Sequence, residues 1–207
     1  MPPYFSIEMA FPYKFFYPSL VRDLYDMVFS KFPFKSGYWN SEGESLEEII
    51  VWNQRLLEKR FRLGFYEPAQ NNYKQVLLLS NLYSEMRLFW MYTEDEIRAS
   101  IIIPEYDVLV DEDIWTFDAA KIEPIKNLCE HLWTESPVEH IQTCLEMDGG
   151  PISMNKIKKG SQPSIRPISI VRDEDFEKMG EFHSSIEVIS IKRSGFLFIN
   201  RNHLAEV

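Results

Sequence analysis

An α+β fold with a mostly antiparallel sheet is predicted by three features of this 207-residue chain. Apolar and polar residues alternate strand-like at residues 4–11. Strand candidates then follow one another between residues 75 and 103 with short polar breaks, as in an antiparallel meander. Helical stripes occupy separate stretches, without the regular βαβ alternation of a parallel sheet.

Taken in order, the opening strand sets Phe5, Ile7, Met9 and Phe11 against Ser6, Glu8 and Ala10. Pro12 and Pro18 bracket a loop. From Ser19, residues Leu20, Val21, Leu24, Tyr25, Val28, Phe29 and Phe32 form one helical stripe, which Pro33 and Gly37 end. A second helix starts at Ser45-Leu46-Glu47-Glu48, a capping box with Ser45 as N-cap and Glu48 three residues on. Its buried face is Ile49, Ile50, Leu56, Leu57 and Phe61, and Gly64 is its expected stop.

Strands are expected at 75–80, 85–92 and 97–103, the last closed by Pro104. A helix follows over 118–135, with Pro124 near its first turn and Ile122, Ile125, Leu128, Cys129 and Leu132 facing inward. Residues 140–147 read as a strand, 149–151 as a turn and 156–167 as a basic loop carrying Lys156, Lys158, Lys159 and Arg166. A hairpin closes the chain: 186–191, a turn at Lys192-Arg193-Ser194-Gly195, then 196–199. Both its faces are apolar, so this part of the sheet should be central or covered on both sides. One domain is expected, because no linker-like stretch separates two cores. A subdivision near residue 105 is the alternative.

Charge is distributed unevenly. Residues 93–148 hold 15 acidic residues against 3 basic, a net −12, and the rest of the chain is +2, which together make the overall −10. Ile114-Trp115-Thr116-Phe117 places large apolar groups among these acids. Such a field suits capture of a basic protein and repels nucleic acid. The expected partner-binding residues are Glu94, Asp95, Glu96, Glu105, Asp107, Asp111, Glu112, Asp113 and Trp115, with Tyr38 and Trp39 as a second aromatic patch. Trp115 is expected to anchor a partner from a polar turn, so that its loss leaves folding unaffected.

Reaction chemistry is not visible. There is no G-x-G-x-x-G, P-loop, G-x-S-x-G or H-E-x-x-H pattern. Cys129, His131, His140 and Cys144 read as core thiols and ordinary histidines, because two of them diverge on one helix. Asp107, Asp111, Asp113 and Glu123, with Lys126, are the set a metal nuclease would use, but they read as a solvated acidic surface. His183 and His203 have no nucleophile partner in the sequence. The basic loop is expected to contact the chain's own acidic block. No catalytic, cofactor-binding or metal residue is assigned, and the chain is expected not to be an enzyme. No apolar run approaches the roughly 20 residues of a membrane span. Met1-Pro2-Pro3-Tyr4 does not read as a secretory signal, and the two cysteines read as reduced, so the expected compartment is the cytoplasm.

The segment Gly37-Tyr38-Trp39-Asn40-Ser41-Glu42-Gly43-Glu44-Ser45-Leu46-Glu47-Glu48 joins an aromatic pair, a short glycine turn and a Ser-x-Glu-Glu helix start. The ending from Ser190 to Ala205 carries Asn200-Arg201-Asn202-His203-Leu204-Ala205 after a hairpin. Both resemble the immunity protein 52 family of polymorphic toxin systems. The resemblance implies an α+β antidote encoded beside a secreted toxin, of the kind associated with type VI secretion. It would bind a nuclease-like toxin in the cytoplasm and block its active site or substrate path. The alternatives are an adaptor or chaperone for a basic secreted protein, and a metal-dependent nuclease.

Overall fold

The computed structural model describes residues 3–64, 68–94, 96–111 and 114–205. Its strands are β1 (Tyr4–Phe11), β2 (Phe34–Tyr38), β3 (Gln75–Leu78), β4 (Arg87–Tyr92), β5 (Ile97–Pro104), β6 (Leu109–Asp111), β7 (Thr116–Asp118), β8 (His140–Leu145), β9 (Ile168–Arg172), β10 (Ile186–Ile191), β11 (Gly195–Asn200) and β12 (Leu204–Ala205). Nine of them form one antiparallel sheet in the order β10-β11-β9-β8-β1-β5-β4-β3-β2, and β12-β7-β6 form a small second sheet. The fold is α+β.

One face of the large sheet is the main core. Alternation along β1 places Phe5, Ile7, Met9 and Phe11 there, all fully buried. Helices α1 (Leu20–Phe29), α2 (Leu46–Glu58) and α3 (Ala119–Glu135) lay their apolar stripes on this face. The inner face of α2 also carries two amides that its apolar pattern hides. Asn53 donates to the Tyr25 hydroxyl at 3.0 Å and to the Lys74 carbonyl at 2.8 Å, and accepts from the Lys74 N–H at 2.7 Å. Gln54 accepts from the Val21 N–H at 3.1 Å and donates to the Tyr17 carbonyl at 3.0 Å. These bonds satisfy backbone groups that the packing of α2 against α1 and β3 would otherwise strand.

The opposite face is covered over part of its width. Helices α4 (Met154–Ile157) and α5 (Asp173–Phe176) and the chain around them lie over β9 and β11. There Ile157, Ile165, Val171 and Phe198 form a second cluster, with the tilted rings of Phe176 and Phe196 4.3 Å apart between centroids. This cover buries residues the alternation of β1 assigns to a polar side. Glu8 and Ala10 are 7% and 4% exposed, and Glu8 lies in register between Ser100 and Gln142.

Three local expectations need correction. Helix α2 ends at Glu58, six residues before Gly64. Arg60 takes the left-handed conformation (φ 54°), the Phe61 N–H bonds the Leu56 carbonyl, and the Arg60 N–H bonds that of Leu57. This is a Schellman closure without glycine, and it turns Phe61 back onto the core. The terminal hairpin lies at the sheet edge: β11 is buried along Leu197, Phe198 and Ile199, but β10 is the outermost strand and only partly covered. Within that hairpin, Arg193 (φ 58°) and Ser194 (φ 48°) occupy the two left-handed turn positions, and Gly195 already belongs to β11.

Candidate functional site

The acidic stretch does not fold into one face. Strand β5 runs through it and separates Glu94, at one end, from Glu105, at the other, by roughly 24 Å of extended chain. Several of its acids are spent inside the molecule. Glu96, 1% exposed, pairs with Arg98 and accepts from the Met154 N–H at 2.8 Å. Glu105, 8% exposed, accepts from the Glu146 N–H at 3.1 Å. Glu139 is buried among Lys14, Lys158 and Arg172, at 3.8, 2.6 and 3.9 Å. Asp118 caps α3 by accepting from the Ala120 N–H. Buried charges need partners, so Glu96, Glu105 and Glu139 are structural and unavailable to a binding partner, while Asp118 serves its helix. Glu96 and Glu105 therefore leave the expected binding set. Glu94 is exposed but stands apart, paired with Arg62 at 3.3 Å. Asp95, Glu112 and Asp113 lie outside the described residues.

What remains together is a corner built by β6, β7 and the chain before them. Asp107 accepts from the Ser84 N–H and hydroxyl, both at 2.7 Å, and the Tyr106 hydroxyl lies 3.0 Å from Ser84 Oγ. Asp111 is exposed and accepts from the Ile114 N–H. Around these acids Tyr106 is 56% exposed, Val110 45% and Ile114 67%. The link from Glu105 to Glu146 brings the 146–148 turn alongside, with Met147 82% exposed. Exposed apolar groups beside carboxylates are the composition that a protein partner can cover.

Trp115 differs from its expected role. It packs partly buried against the main core, and the Arg166 guanidinium covers its ring at 5.1 Å from the centroid. Arg166 also lies 2.7 Å from Asp148, and Lys158 reaches Glu139, so the basic segment does contact the acidic block. Trp115 is thus a supporting residue of the corner, and Ile114 beside it is the exposed one.

Tyr38 is also used internally. The Arg87 guanidinium lies 4.6 Å from the Tyr38 ring centroid and 4.7 Å from that of Tyr4, with Glu85 3.0 Å from its Nε. Tyr4 in turn donates its N–H to Glu146 at 3.1 Å, so the aromatic patch joins the corner through Arg87 and Tyr4. Trp39 is 64% exposed and held in the left-handed region (φ 55°), a conformation costing about 1–2 kcal/mol in a non-glycine residue. Arg87, Tyr4 and Met147 escaped the sequence reading, since nothing in the local pattern of a strand or turn shows which distant ring or chain end it meets.

The candidate metal and nucleophile residues are not assembled. Cys129 faces the core from α3, while Cys144 sits on β8 opposite Ser6, on the other side of the sheet. Both are free thiols, and burial pushes Cys144 up to about 12 and Cys129 higher still. His140, fully buried, is bonded through Nε2 to Asp175 at 2.9 Å. Burial opposes ionisation of Asp175, but the His140 and Lys178 bonds outweigh it and hold the carboxyl below its ordinary range. Glu123 pairs with Lys126 at 2.8 Å. Among the described residues, no group of three or more His, Cys, Asp or Glu side chains is placed to hold a metal, and no helix is long and apolar enough to cross a membrane. No family model matches the chain, and no curated protein matches it.

Proposed function

We propose that this chain is a non-enzymatic binding protein that captures a basic protein partner, and that it serves as a cytoplasmic immunity protein against a secreted toxin. The observation that carries the reading is the corner where Tyr106, Val110, Ile114 and Met147 stand exposed among Asp107, Asp111 and Glu146. Apolar anchors in an acidic rim suit a basic surface such as a nuclease uses for phosphates. The rim carboxylates steer the partner in, and the desolvated anchors hold it. The resemblance of residues 37–48 and 190–205 to immunity protein 52 supplies the antitoxin part of the reading. Trp39 extends the surface by way of Tyr38, Arg87 and Tyr4.

The test uses the basic partner protein that this reading predicts, identified by pull-down with the chain, with binding kinetics measured at two salt concentrations. Asp111→Lys with Glu146→Lys should slow association at low salt, and the difference should shrink at high salt. Tyr106→Ala with Ile114→Ala should speed dissociation, by about 2 kcal/mol in affinity. Association of the charge-reversed protein at the unaltered rate in low salt excludes the corner as the interface.

A further inference from the structure

Four cations from separate segments gather around one carboxylate at the end of the large sheet. Glu139 stands just ahead of β8, where its N–H bonds the Ala10 carbonyl at 2.9 Å, and its side chain is buried. Lys14 comes from the loop after β1, Lys158 from the end of α4 and Arg172 from the end of β9. Lys158 Nζ lies 2.6 Å from one Glu139 oxygen, and Lys14 Nζ and Arg172 Nε lie 3.8 and 3.9 Å from the other. Arg193 joins them from the hairpin turn, where one of its terminal nitrogens donates to the Trp133 carbonyl at 2.6 Å and to that of Ser136. Burial, and then the charge of Arg172, hold Arg193 below its usual range, so the two guanidinium groups feel each other.

One carboxylate does not answer this much charge. The Lys14 and Arg172 contacts to Glu139 are longer than a hydrogen bond. The acids next along the chain are turned elsewhere: Asp175 is held by His140 and Lys178, and Asp173 accepts from the Glu174 N–H at 2.7 Å. The remaining donors are reachable. Lys14 has a side chain 67% exposed, and Lys158 and Arg172 are partly exposed. Arg172 is closed at Nε, whereas its two terminal nitrogens are open to solvent and have no hydrogen-bond partner among the described residues. A lysine carries three donors and an arginine five, so a single carboxylate beneath them leaves most of these N–H groups free. Glu139 thus draws the cations together from the buried side, as a supporting residue does behind a preformed anion site.

From this arrangement we infer that Lys14, Lys158 and Arg172 form a binding site for a phosphate group, with Glu139 as the positioning residue beneath them. The two lysine ammonium groups and the terminal nitrogens of Arg172 donate to the phosphate oxygens, and Arg193 adds its charge from the hairpin side. The surplus of positive charge calls for an anion carrying two charges. Phosphate supplies them and accepts donors from several directions at once, with the guanidinium free to give two parallel bonds. Free phosphate and a phosphorylated small molecule share this chemistry. The site lies at the Phe11 end of β1, and the acidic corner is joined to the Tyr4 end of that strand, so this inference stands or falls independently of partner capture.

The experiment is a titration of the intact protein with inorganic phosphate and with glycerol 3-phosphate at constant ionic strength, followed by NMR of the Arg172 and Arg193 side-chain N–H groups. Acetate is the singly charged control. Phosphate should give saturable shifts that acetate does not reproduce. Tighter binding of glycerol 3-phosphate assigns the site to a phosphorylated molecule, and tighter binding of phosphate assigns it to the free ion. Lys14→Gln and Lys158→Gln should each weaken binding about tenfold, the loss of one charge-assisted hydrogen bond. Lys35→Gln removes the same charge from β2, at the far edge of the sheet, and should leave binding unchanged. Lys14 is exposed in a loop, so its variant should keep the melting temperature of the anion-free protein, and its lost binding is then not lost folding. Absence of saturable shifts with either phosphate compound up to about 20 mM overturns the assignment. So do equal shifts with acetate, or a loss in Lys35→Gln as large as that in Lys14→Gln.

Discussion

The Arg166 guanidinium lies over the Trp115 indole at 5.1 Å from its centroid, pairing the basic stretch before β9 with the acidic turn before β7. The indole is therefore part of the fold before any partner arrives. Trp115→Ala should destabilise the protein by about 1–2 kcal/mol, for a half-buried ring and its cation–π contact. Ile114→Ala, one residue away but 67% exposed, should stay within about 0.5 kcal/mol. Urea midpoints at unchanged slope separate the two; a neutral Trp115→Ala would show that the ring contributes nothing to folding.

Glu8 predicts a dependence on pH. Burial raises its carboxyl above the ordinary carboxylate range, against the opposing effects of the Ser100 hydroxyl, which donates at 2.5 Å, and of the Arg98 charge. A raised folded pKa means that the native state holds this proton more tightly than the unfolded chain. Its contribution is thus fully present below the unfolded value of about 4.3 and is lost as pH rises toward the folded one. Glu8→Gln keeps a partner for Ser100 and removes the titration. The variant should match the wild type near pH 4 and be the more stable at pH 7, by urea unfolding across that range. An offset independent of pH would contradict this.

The terminal hairpin offers a test of where glycine is needed. A Cβ built on Gly195 would stand 2.5 Å from Trp133 Nε1, which donates to the Lys192 carbonyl at 2.9 Å and cannot easily retreat. Gly195→Ala should cost about 1–3 kcal/mol as overpacking. Ser194, by contrast, carries a left-handed backbone without being glycine. Ser194→Gly should stabilise by up to about 1 kcal/mol. Thermal melts of the two variants moving in the same direction would show that the turn strain has been misplaced.

At the start of α2, Ser45 Oγ accepts from the Glu48 N–H at 3.3 Å while the Glu48 carboxylate accepts from the Ser45 N–H at 2.8 Å. Ser45→Ala should cost about 1 kcal/mol. The Ser45 hydroxyl, and then its N–H, hold the Glu48 carboxyl below its usual range. The support from Glu48 is therefore present above the unfolded carboxylate value and fades as pH falls through the lowered one. The cost of Ser45→Ala should accordingly be smaller at pH 3 than at pH 7. Equal urea-midpoint shifts at both would refute the reciprocal bond.

Local physics made much of the fold legible. The period of two in β1, the stripe of α1 and the cap of α2 depend on residues within a few positions of each other, and the sequence by itself determined them, along with the α+β class. It also determined that charge is concentrated between residues 93 and 148. Where that charge goes was decided only in three dimensions. An eight-residue strand through the block carries Glu94 and Glu105 to opposite ends of the sheet. Burial then commits Glu96 and Glu139 to Arg98, Lys14, Lys158 and Arg172. The corner around Tyr106 and Ile114, the cover over Trp115 and the cations around Glu139 depend on contacts between residues far apart in the chain. Side-chain period reports only which face a residue takes; what waits on that face is set by how the distant segments close upon it.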